Sequence, residues 1–308
     1  MIGLLLAKRI FSLFLIVLLG FLLVRLRLLR SEDSRVLSVI CLNVVTPCAV
    51  LLAFQTNAGD AALRPFLFAL AAAAVLHAAF IALARLLARP LRLDGVEKAC
   101  LTYTNCTQLG IPLVTILFGT QWTIYVCAFL AVQLLLFFSH GKALICGETR
   151  VDWKAVLLNV NVLAILLSLA LYLLRVRLPE LAMTALETVS GMLGPAAMLI
   201  TGMLLGGLEL RRILGSRRVW LVAGLRLLLF PLAAVLLLRL SGGAALAAGG
   251  GETVMLVLLI CASTPAAVAL VQMAQIYGRD AGYVSAVYIV TFFGCIVTLP
   301  LMTALYQL

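Results

Sequence analysis

The stretch from Thr104 to Gly119, TNCTQLGIPLVTILFG, places polar residues and a Gly-Ile-Pro sequence inside an otherwise apolar segment of membrane-spanning length. Proline lacks a backbone donor and clashes with the preceding helical turn, and glycine weakens a helix further. Gly110 and Pro112 therefore predict a broken helix. Non-helical backbone at membrane depth persists only where protein or a water-filled cavity satisfies its polar groups. The stretch thus indicates a polar site inside a membrane protein.

The composition places the chain among membrane proteins, since 65% of its 308 residues are hydrophobic, 11% are charged and the mean hydropathy is +1.20. Apolar runs of about 20 residues, long enough to cross a bilayer core, recur along the whole chain. We predict an all-α polytopic membrane protein with ten transmembrane helices. The predicted spans lie near residues 4–24, 34–56, 64–88, 97–118, 121–145, 155–174, 183–208, 218–240, 252–276 and 281–306. Asp94 with Glu97, and Asp280, are typical N-capping residues before the fourth and tenth spans.

The placement of Lys and Arg predicts the orientation. Sixteen of them fall at span ends on one side of the predicted bilayer and six on the other. The six are Lys8, Arg9, Arg64, Arg175, Arg177 and Arg239. Because basic residues in short loops stay on the cytoplasmic side, we predict a multi-pass protein of the cytoplasmic (inner) cell membrane with both termini outside. The net charge of +11 is scattered over short loops, so we expect the lipid bilayer and no nucleic acid as its partner.

The sequence carries no signature of an enzyme, a metal site or a cofactor. Its eight cysteines have no CxxC spacing and no histidine in a ligand-like pattern beside them, which is typical of small core residues. The HExxH, GxSxG and paired-aspartate motifs are also missing from the sequence. We therefore predict a protein that is not an enzyme and that binds neither metal nor cofactor.

Proline spacing predicts an internal repeat. Pro47 and Pro112 are 65 residues apart, and Pro195 and Pro265 are 70 apart. Each pair falls in the second and fourth spans of its own half, which we place at residues 1–148 and 149–308. Five spans per half is an odd number, so the second half enters the membrane from the opposite side. The sequence thus predicts two inverted five-helix repeats, an arrangement common in secondary transporters.

The ninth span repeats the break of the fourth at Pro265, which follows Ser263 and Thr264. Two broken helices in inverted positions are expected to cross near the bilayer midplane, where such transporters bind substrate. The half-helix that starts at each proline aims free N–H groups at the crossing. Nearly all acidic residues lie in loops or at span ends, with Glu187 and Glu252 as the exceptions. We therefore predict that the ligand is a small organic anion, and a carboxylate is the best match for such donors.

The predicted substrate-binding residues lie in the two broken spans. They are Asn105, Thr107, Gln108, Gly110, Pro112, Ser263, Thr264, Pro265 and Gln272. His77 in the third span is a candidate for coupling transport to H⁺, and Na⁺ is the alternative coupling ion.

Each of these residues has an alternative role. The two prolines could be ordinary kinks, Asn105 could join helices through hydrogen bonds, and His77 could be a packed core residue. Arg226 is expected to extend its side chain to the cytoplasmic interface rather than bind substrate. Gly202 and Gly206 allow close helix packing, either within one protomer or in a homodimer.

With these motifs the chain resembles the auxin efflux carrier family, which includes plant PIN-type carriers and bacterial organic-acid transporters. The family pattern in the fourth span is Gly-Asn-x-x-x-x-Gly-Ile-Pro followed by Phe-Gly, and Thr104 stands where the first glycine is usual. The matching residues there are Asn105, Gly110, Ile111, Pro112, Phe118 and Gly119. The pattern that ends the family's sequences is matched by Pro265, Ala274, Gln275, Tyr277, Gly278, Asp280 and the Thr-Leu-Pro at 298–300.

The resemblance implies a scaffold formed by spans 1, 2, 6 and 7 and a moving transport domain formed by spans 3–5 and 8–10. One position departs from the pattern, because many members have Asn four residues after the ninth-span proline and this chain has Ala269. We predict a carrier that moves a small organic anion by alternating access. An anion channel-like pore and a membrane receptor that binds its ligand without moving it are the alternatives.

Overall fold

The protein is predominantly helical, and the computed structural model describes residues 15–55, 63–147, 154, 157–208, 215–242 and 250–308. Six of the described helices are long and apolar enough to cross a membrane. Four shorter apolar helices fall within the first, fourth, sixth and ninth predicted spans. The multi-pass membrane class predicted from composition is therefore confirmed.

We number the helices in chain order. They are α1 (Leu15–Arg25), α2 (Ser31–Gln55), α3 (Leu63–Ala88), α4 (Gly95–Thr102), α5 (Cys106–Phe118), α6 (Thr120–Cys146), α7 (Val160–Leu173), α8 (Glu180–Gly207), α9 (Arg217–Leu240), α10 (Gly251–Ser263), α11 (Ala269–Ile276) and α12 (Ala281–Gln307). Helices α4 and α5 divide the predicted fourth span, and α10 and α11 divide the ninth.

The predicted N-caps are confirmed at α4 and α12. The Asp94 carboxylate accepts from the Glu97 backbone N–H at 2.7 Å, and the Glu97 carboxylate accepts from the Asp94 N–H at 2.9 Å. The Asp280 carboxylate accepts from the Tyr283 N–H at 2.9 Å. Each cap gives a partner to donors that a helix start leaves free.

The break in the fourth span lies earlier than the sequence predicts. Backbone helix geometry stops at Thr102 and resumes at Cys106, whereas Pro112 lies inside α5. A π-helical turn over Cys106–Gly110 directly precedes this proline, and the N–H of Ile111 bonds to the Cys106 carbonyl. The wider turn accommodates the proline ring within the helix. The prediction that Pro112 itself breaks the span is therefore wrong.

The helices pack in two groups. In one, α2 packs against α7 and α8, and α8 also contacts α1; in the other, α10 packs against α3, α6, α9 and α12. Contacts between the groups include the hydroxyls of Thr201 on α8 and Tyr288 on α12, which are 2.5 Å apart. The fold thus brings both broken spans into the same group.

Gly202 resolves one of the alternatives left open by the sequence. A Cβ atom there would lie 2.9 Å from the Cα of Gly20 and 2.7 Å from the Phe21 backbone nitrogen. Only a glycine permits α1 and α8 to approach so closely. The small-residue face therefore packs within one protomer.

A cluster of charged and polar side chains joins the ends of α4, α9 and α12. Glu97 accepts from Arg218 Nε at 2.5 Å, from Arg218 Nη2 at 2.6 Å and from the Tyr283 hydroxyl at 2.9 Å. All three helix ends belong to the side that the Lys and Arg count assigns to the cytoplasm. The described residues do not include residues 4–14 of the first span, the boundary between 148 and 149, or residues 243–249 before the ninth span.

Candidate functional site

The two broken spans meet where their helices are interrupted. Thr104 and Ala266 form an antiparallel β-bridge. On its two sides the Asn105 N–H donates to the Pro265 carbonyl at 2.8 Å, and the Ala267 N–H donates to the Tyr103 carbonyl at 3.0 Å. The two extended segments therefore satisfy each other's backbone, which is the condition for non-helical chain inside a membrane. We call this paired region, residues 103–105 and 264–267, the crossing.

Side chains of the neighbouring helices satisfy the outer edges of the crossing. The Gln133 side chain on α6 accepts from the Thr104 N–H at 3.1 Å and from its hydroxyl at 2.7 Å, and donates to the Thr104 carbonyl at 2.9 Å. On the other edge, the Thr291 hydroxyl of α12 accepts from the Ala266 N–H at 3.2 Å. In an antiparallel bridge of this type the outward backbone groups need partners elsewhere. Gln133 provides them for Thr104, and Thr291 provides one for the Ala266 N–H.

Several buried polar atoms beside the crossing have no hydrogen-bond partner among the described residues. They are Nδ2 of Asn105, Nε2 and Oε1 of Gln108, and Oγ of Ser263. Asn105 is directly at the break and Gln108 is in the first turn of α5, while Ser263 is the last residue of α10. Buried polar groups are nearly always paired in folded proteins. Two unpaired amides at the N-terminus of α5, together with an unpaired hydroxyl at the end of α10, are consistent with a site for a polar ligand.

Arg226 lies at the crossing and not at the membrane interface. Its side chain is fully buried, and Nη2 donates to the carbonyls of Ala262 at 2.6 Å and Thr264 at 2.7 Å. Nη1 donates to the Leu101 carbonyl at 3.3 Å, and the guanidinium carbon is 5.6 Å from the centre of the Phe80 ring. The expectation that Arg226 extends to the cytoplasmic interface is therefore wrong, because the last carbonyls of α4 and α10 hold it inside.

An open cavity of about 470 Å³ lies between the two helix groups. Its wall includes Pro112 and Thr115 of α5 and, from α8, the polar side chains of Glu187 and Ser190. Pro112 also packs against α8, where a Cβ on Gly194 would lie 3.4 Å from the proline ring. Gln108 precedes Pro112 by one helical turn, so the cavity and the unpaired amides lie along one helix. Pro112 thus belongs to the cavity wall.

Asn105, Gly110, Thr264 and Pro265 come together at the crossing, where a Cβ on Gly110 would be 3.8 Å from the Thr264 methyl group. The Thr264 hydroxyl already bonds to the Cys261 carbonyl at 2.9 Å.

Thr107 and Gln272 are half-buried on α5 and α11, and Gln272 Nε2 has no partner among the described residues. Ala269, where the family pattern has Asn, begins α11.

His77 is a fully buried residue of α3. Its Nδ1 atom is 2.8 Å from the Ala73 carbonyl, and its ring packs on Phe129 with 4.6 Å between ring centres. Nε2 has no hydrogen-bond partner in the described part of the chain. The residue therefore combines the packed role with one free ring nitrogen.

Three residues that bond to the crossing are absent from the predicted set of site residues. They are Gln133, Thr291 and Arg226. Gln133 is a polar residue in a strongly apolar span, and Arg226 is a charged residue in another. Because burying such side chains in a bilayer costs free energy, their presence in these spans indicates a specific role. Thr291 carries no such signal, because threonine is common in membrane helices. Across the described residues, no group of three or more His, Cys, Asp or Glu residues is placed to hold a metal ion.

Comparison with known families gives one match over nearly the whole chain. A family model described as "Membrane transport protein" matches residues 5–303. This match confirms the resemblance to the auxin efflux carrier family. No curated protein matches the chain.

Proposed function

Since the chain belongs to the membrane transport protein family, we propose that it is a secondary carrier that moves a small organic anion, a carboxylate, across the cell membrane by alternating access. The observation that carries the proposal is the group of unpaired buried polar atoms on Asn105, Gln108 and Ser263 beside the crossing. Their donors and the N-terminus of α5 match the acceptor oxygens and the charge of a carboxylate.

The sign of the substrate charge is supported by the buried charges. Among the described residues, the buried acidic and basic side chains are His77, Glu97 and Arg226. Glu97 is neutralised by Arg218. The hydrogen-bond partners of Arg226, in contrast, are backbone carbonyls and include no carboxylate. A net positive charge therefore remains at the crossing and favours an anion.

The elevator-like movement is supported by the two helix groups. In this proposal α1, α2, α7 and α8 form the scaffold, and α3–α6 with α9–α12 form the transport domain that carries the crossing past it. The cavity whose wall includes Pro112 lies between the two groups, and Gln108 precedes Pro112 by one helical turn. In this proposal the cavity gives the substrate its route. Sliding of one group along the other would open this route to each side in turn.

The inverted repeat of two times five spans is supported by the order of the helices. Two long helices, a broken span and a further long helix occur twice in this order along the chain, each time after another apolar helix. We assign the boundary of the halves to residues 148 and 149, with both termini outside.

Labelling in intact cells tests this orientation. An impermeant thiol reagent should label Gly243→Cys and not Ser216→Cys. The reverse labelling pattern contradicts the orientation.

A thermal-shift screen of the purified protein tests the ligand class. The probes are acetate, lactate, succinate, malate and citrate, with methylammonium and glucose as cationic and neutral controls. A ligand that binds the folded state raises the melting temperature by mass action, so at least one carboxylate should raise it while both controls leave it unchanged. A shift with methylammonium alone contradicts the anion assignment.

Uptake into proteoliposomes distinguishes the carrier from the two alternatives. With the carboxylate found in the screen, a carrier gives saturable uptake that is accelerated by unlabelled substrate on the opposite side. Uptake that stays linear with concentration indicates a channel-like pore, and binding without uptake indicates a receptor. If His77 couples transport to H⁺, His77→Gln should abolish the response of uptake to an imposed pH gradient.

A further inference from the structure

Arg226 is placed where two half-helices end. Leu101 is in the last turn of α4, Ala262 is in the last turn of α10, and Thr264 is the first residue after it. The carbonyls of all three accept hydrogen bonds from the one guanidinium group. The last carbonyls of a helix have no partner within the helix and carry the negative end of its dipole. Two negative helix ends therefore converge on a single cation.

A cluster of this kind is a general means of binding a monovalent cation in a membrane. Unwound backbone carbonyls and the C-terminal ends of half-helices coordinate Na⁺ in secondary transporters with broken helices. In this chain the guanidinium occupies the equivalent position with two bonds of 2.6 and 2.7 Å and one of 3.3 Å. The planar, permanently charged group can reach several acceptors at once. The carbonyl cluster thus already contains its cation.

We propose that Arg226 is a resident cation of the crossing, which occupies the carbonyl cluster of Leu101, Ala262 and Thr264 in place of Na⁺ and makes ligand binding independent of Na⁺. The part about ligand binding rests on the proposed anion transport, whereas the occupation of the cluster does not. The positive charge of the guanidinium also balances the charge of the bound carboxylate. Its Nε atom has no partner among the described residues, so this donor of the group remains unused by the protein.

The first experiment needs no substrate and compares Arg226→Ala with Arg239→Ala by thermal melting. Arg239 is a matched control, because its Nη2 donates to the carbonyls of Leu305 at 2.6 Å and Tyr306 at 3.0 Å but at an exposed position. Arg226→Ala should lower the melting temperature by roughly 10 °C, since buried carbonyls lose their partners. Arg239→Ala should change it little.

Chemical rescue then distinguishes a cation site from ordinary packing. Millimolar guanidinium chloride should raise the melting temperature of Arg226→Ala, whereas urea, its neutral analogue of similar shape, should not. Na⁺ should also stabilise Arg226→Ala relative to choline at equal ionic strength, and should leave the wild type unchanged. Equal rescue by urea, no rescue by either cation, or stabilisation of the wild type by Na⁺ overturns the proposal.

A second pair of variants covers the case in which Arg226→Ala does not fold. Arg226→Lys keeps the charge, and Arg226→Gln keeps a planar donor group without charge. If the charge at the cluster matters, the lysine variant melts at the higher temperature. A glutamine variant that is as stable as the lysine variant, or more stable, overturns the proposal.

Ligand binding is measured last, with the carboxylate that gives the largest shift in the thermal screen. Its dissociation constant for the wild type should be the same in NaCl and in choline chloride. A tenfold or greater loss of affinity without Na⁺ overturns the proposal. If none of the carboxylates binds, the anion assignment fails, and the melting experiments still decide whether Arg226 is the resident cation.

Discussion

The two breaks at the crossing differ in what interrupts the helix. The break between α10 and α11 contains Pro265, and Thr264 before it has φ −63° and ψ 160°, the extended geometry that a following proline favours. The break between α4 and α5 contains no proline. Ile111, which precedes Pro112, stays helical at φ −56° and ψ −56°. One break therefore has a local cause in the chain, whereas the other depends on partners from elsewhere in the fold.

Those partners differ in number. Gln133 makes three hydrogen bonds to Thr104 in the break that lacks proline. The break that contains proline receives two, one from the Ala266 N–H to the Thr291 hydroxyl and one from Arg226 to the Thr264 carbonyl. A segment whose own sequence does not favour extended backbone needs more hydrogen bonds from other parts of the fold to remain extended. This comparison leads to four predictions, given from the largest expected effect to the smallest.

Gln133→Leu should be the most damaging of these changes. It leaves the backbone groups of Thr104 buried without partners, at a cost of roughly 3–6 kcal/mol in the free energy of unfolding. Thermal melting of the purified protein measures this. Gln121→Leu is the control, because the Gln121 side chain is exposed and donates to the Phe118 carbonyl only. Similar melting temperatures for the two variants would contradict the role of Gln133.

Asn105→Ala should weaken binding of the carboxylate by about 1–3 kcal/mol, which is roughly 5- to 150-fold, since a hydrogen bond to a charged group is lost. Asn105→Asp should bind more weakly still, because it adds a negative charge beside the anion. Titration calorimetry at one pH measures both. Asn43→Ala, an exposed position on α2, is the control. Binding by Asn105→Asp at wild-type affinity would make Asn105 purely structural.

Thr291→Val should cost about 1–2 kcal/mol of stability, because the Ala266 N–H loses its acceptor while the shape of the side chain is kept. Thr303→Val on the same helix is the control. Thr303 is also buried, and its hydroxyl bonds to the Leu299 and Pro300 carbonyls of its own helix. A loss for Thr291→Val as large as that for Gln133→Leu would remove the difference between the two breaks.

Pro112→Ala should have the smallest effect on stability, less than about 1 kcal/mol, because α5 is already continuous through this residue. Pro265→Ala should reduce carboxylate uptake far more than Pro112→Ala, since Thr264 is then free to become helical. Uptake by both variants in proteoliposomes makes the comparison. Equal losses of uptake would indicate that both prolines maintain a break.

Much of the site followed from local chemistry. The polar residues in two apolar spans located the crossing to within a few residues, and Asn105, Gly110, Thr264 and Pro265 do meet there. The side chains of Gln272 and Thr107 lie half-buried on α11 and α5 and not in the bridge itself. The sequence predicts Arg226 at the interface, because an isolated arginine in a membrane helix extends towards water. The two helix ends that hold it belong to other parts of the chain.

The sequence by itself determined that the protein crosses the membrane, that its fourth and ninth spans are interrupted, where α4 and α12 begin, and to which family it belongs. These properties depend on composition, on capping residues close together in the chain and on motif spacing. Only the tertiary structure decided that the fourth span breaks at 103–105 and that Arg226 lies inside. Both depend on hydrogen bonds to residues more than 25 positions away, among them Gln133, Ala262 and Pro265, and no local pattern encodes such partners.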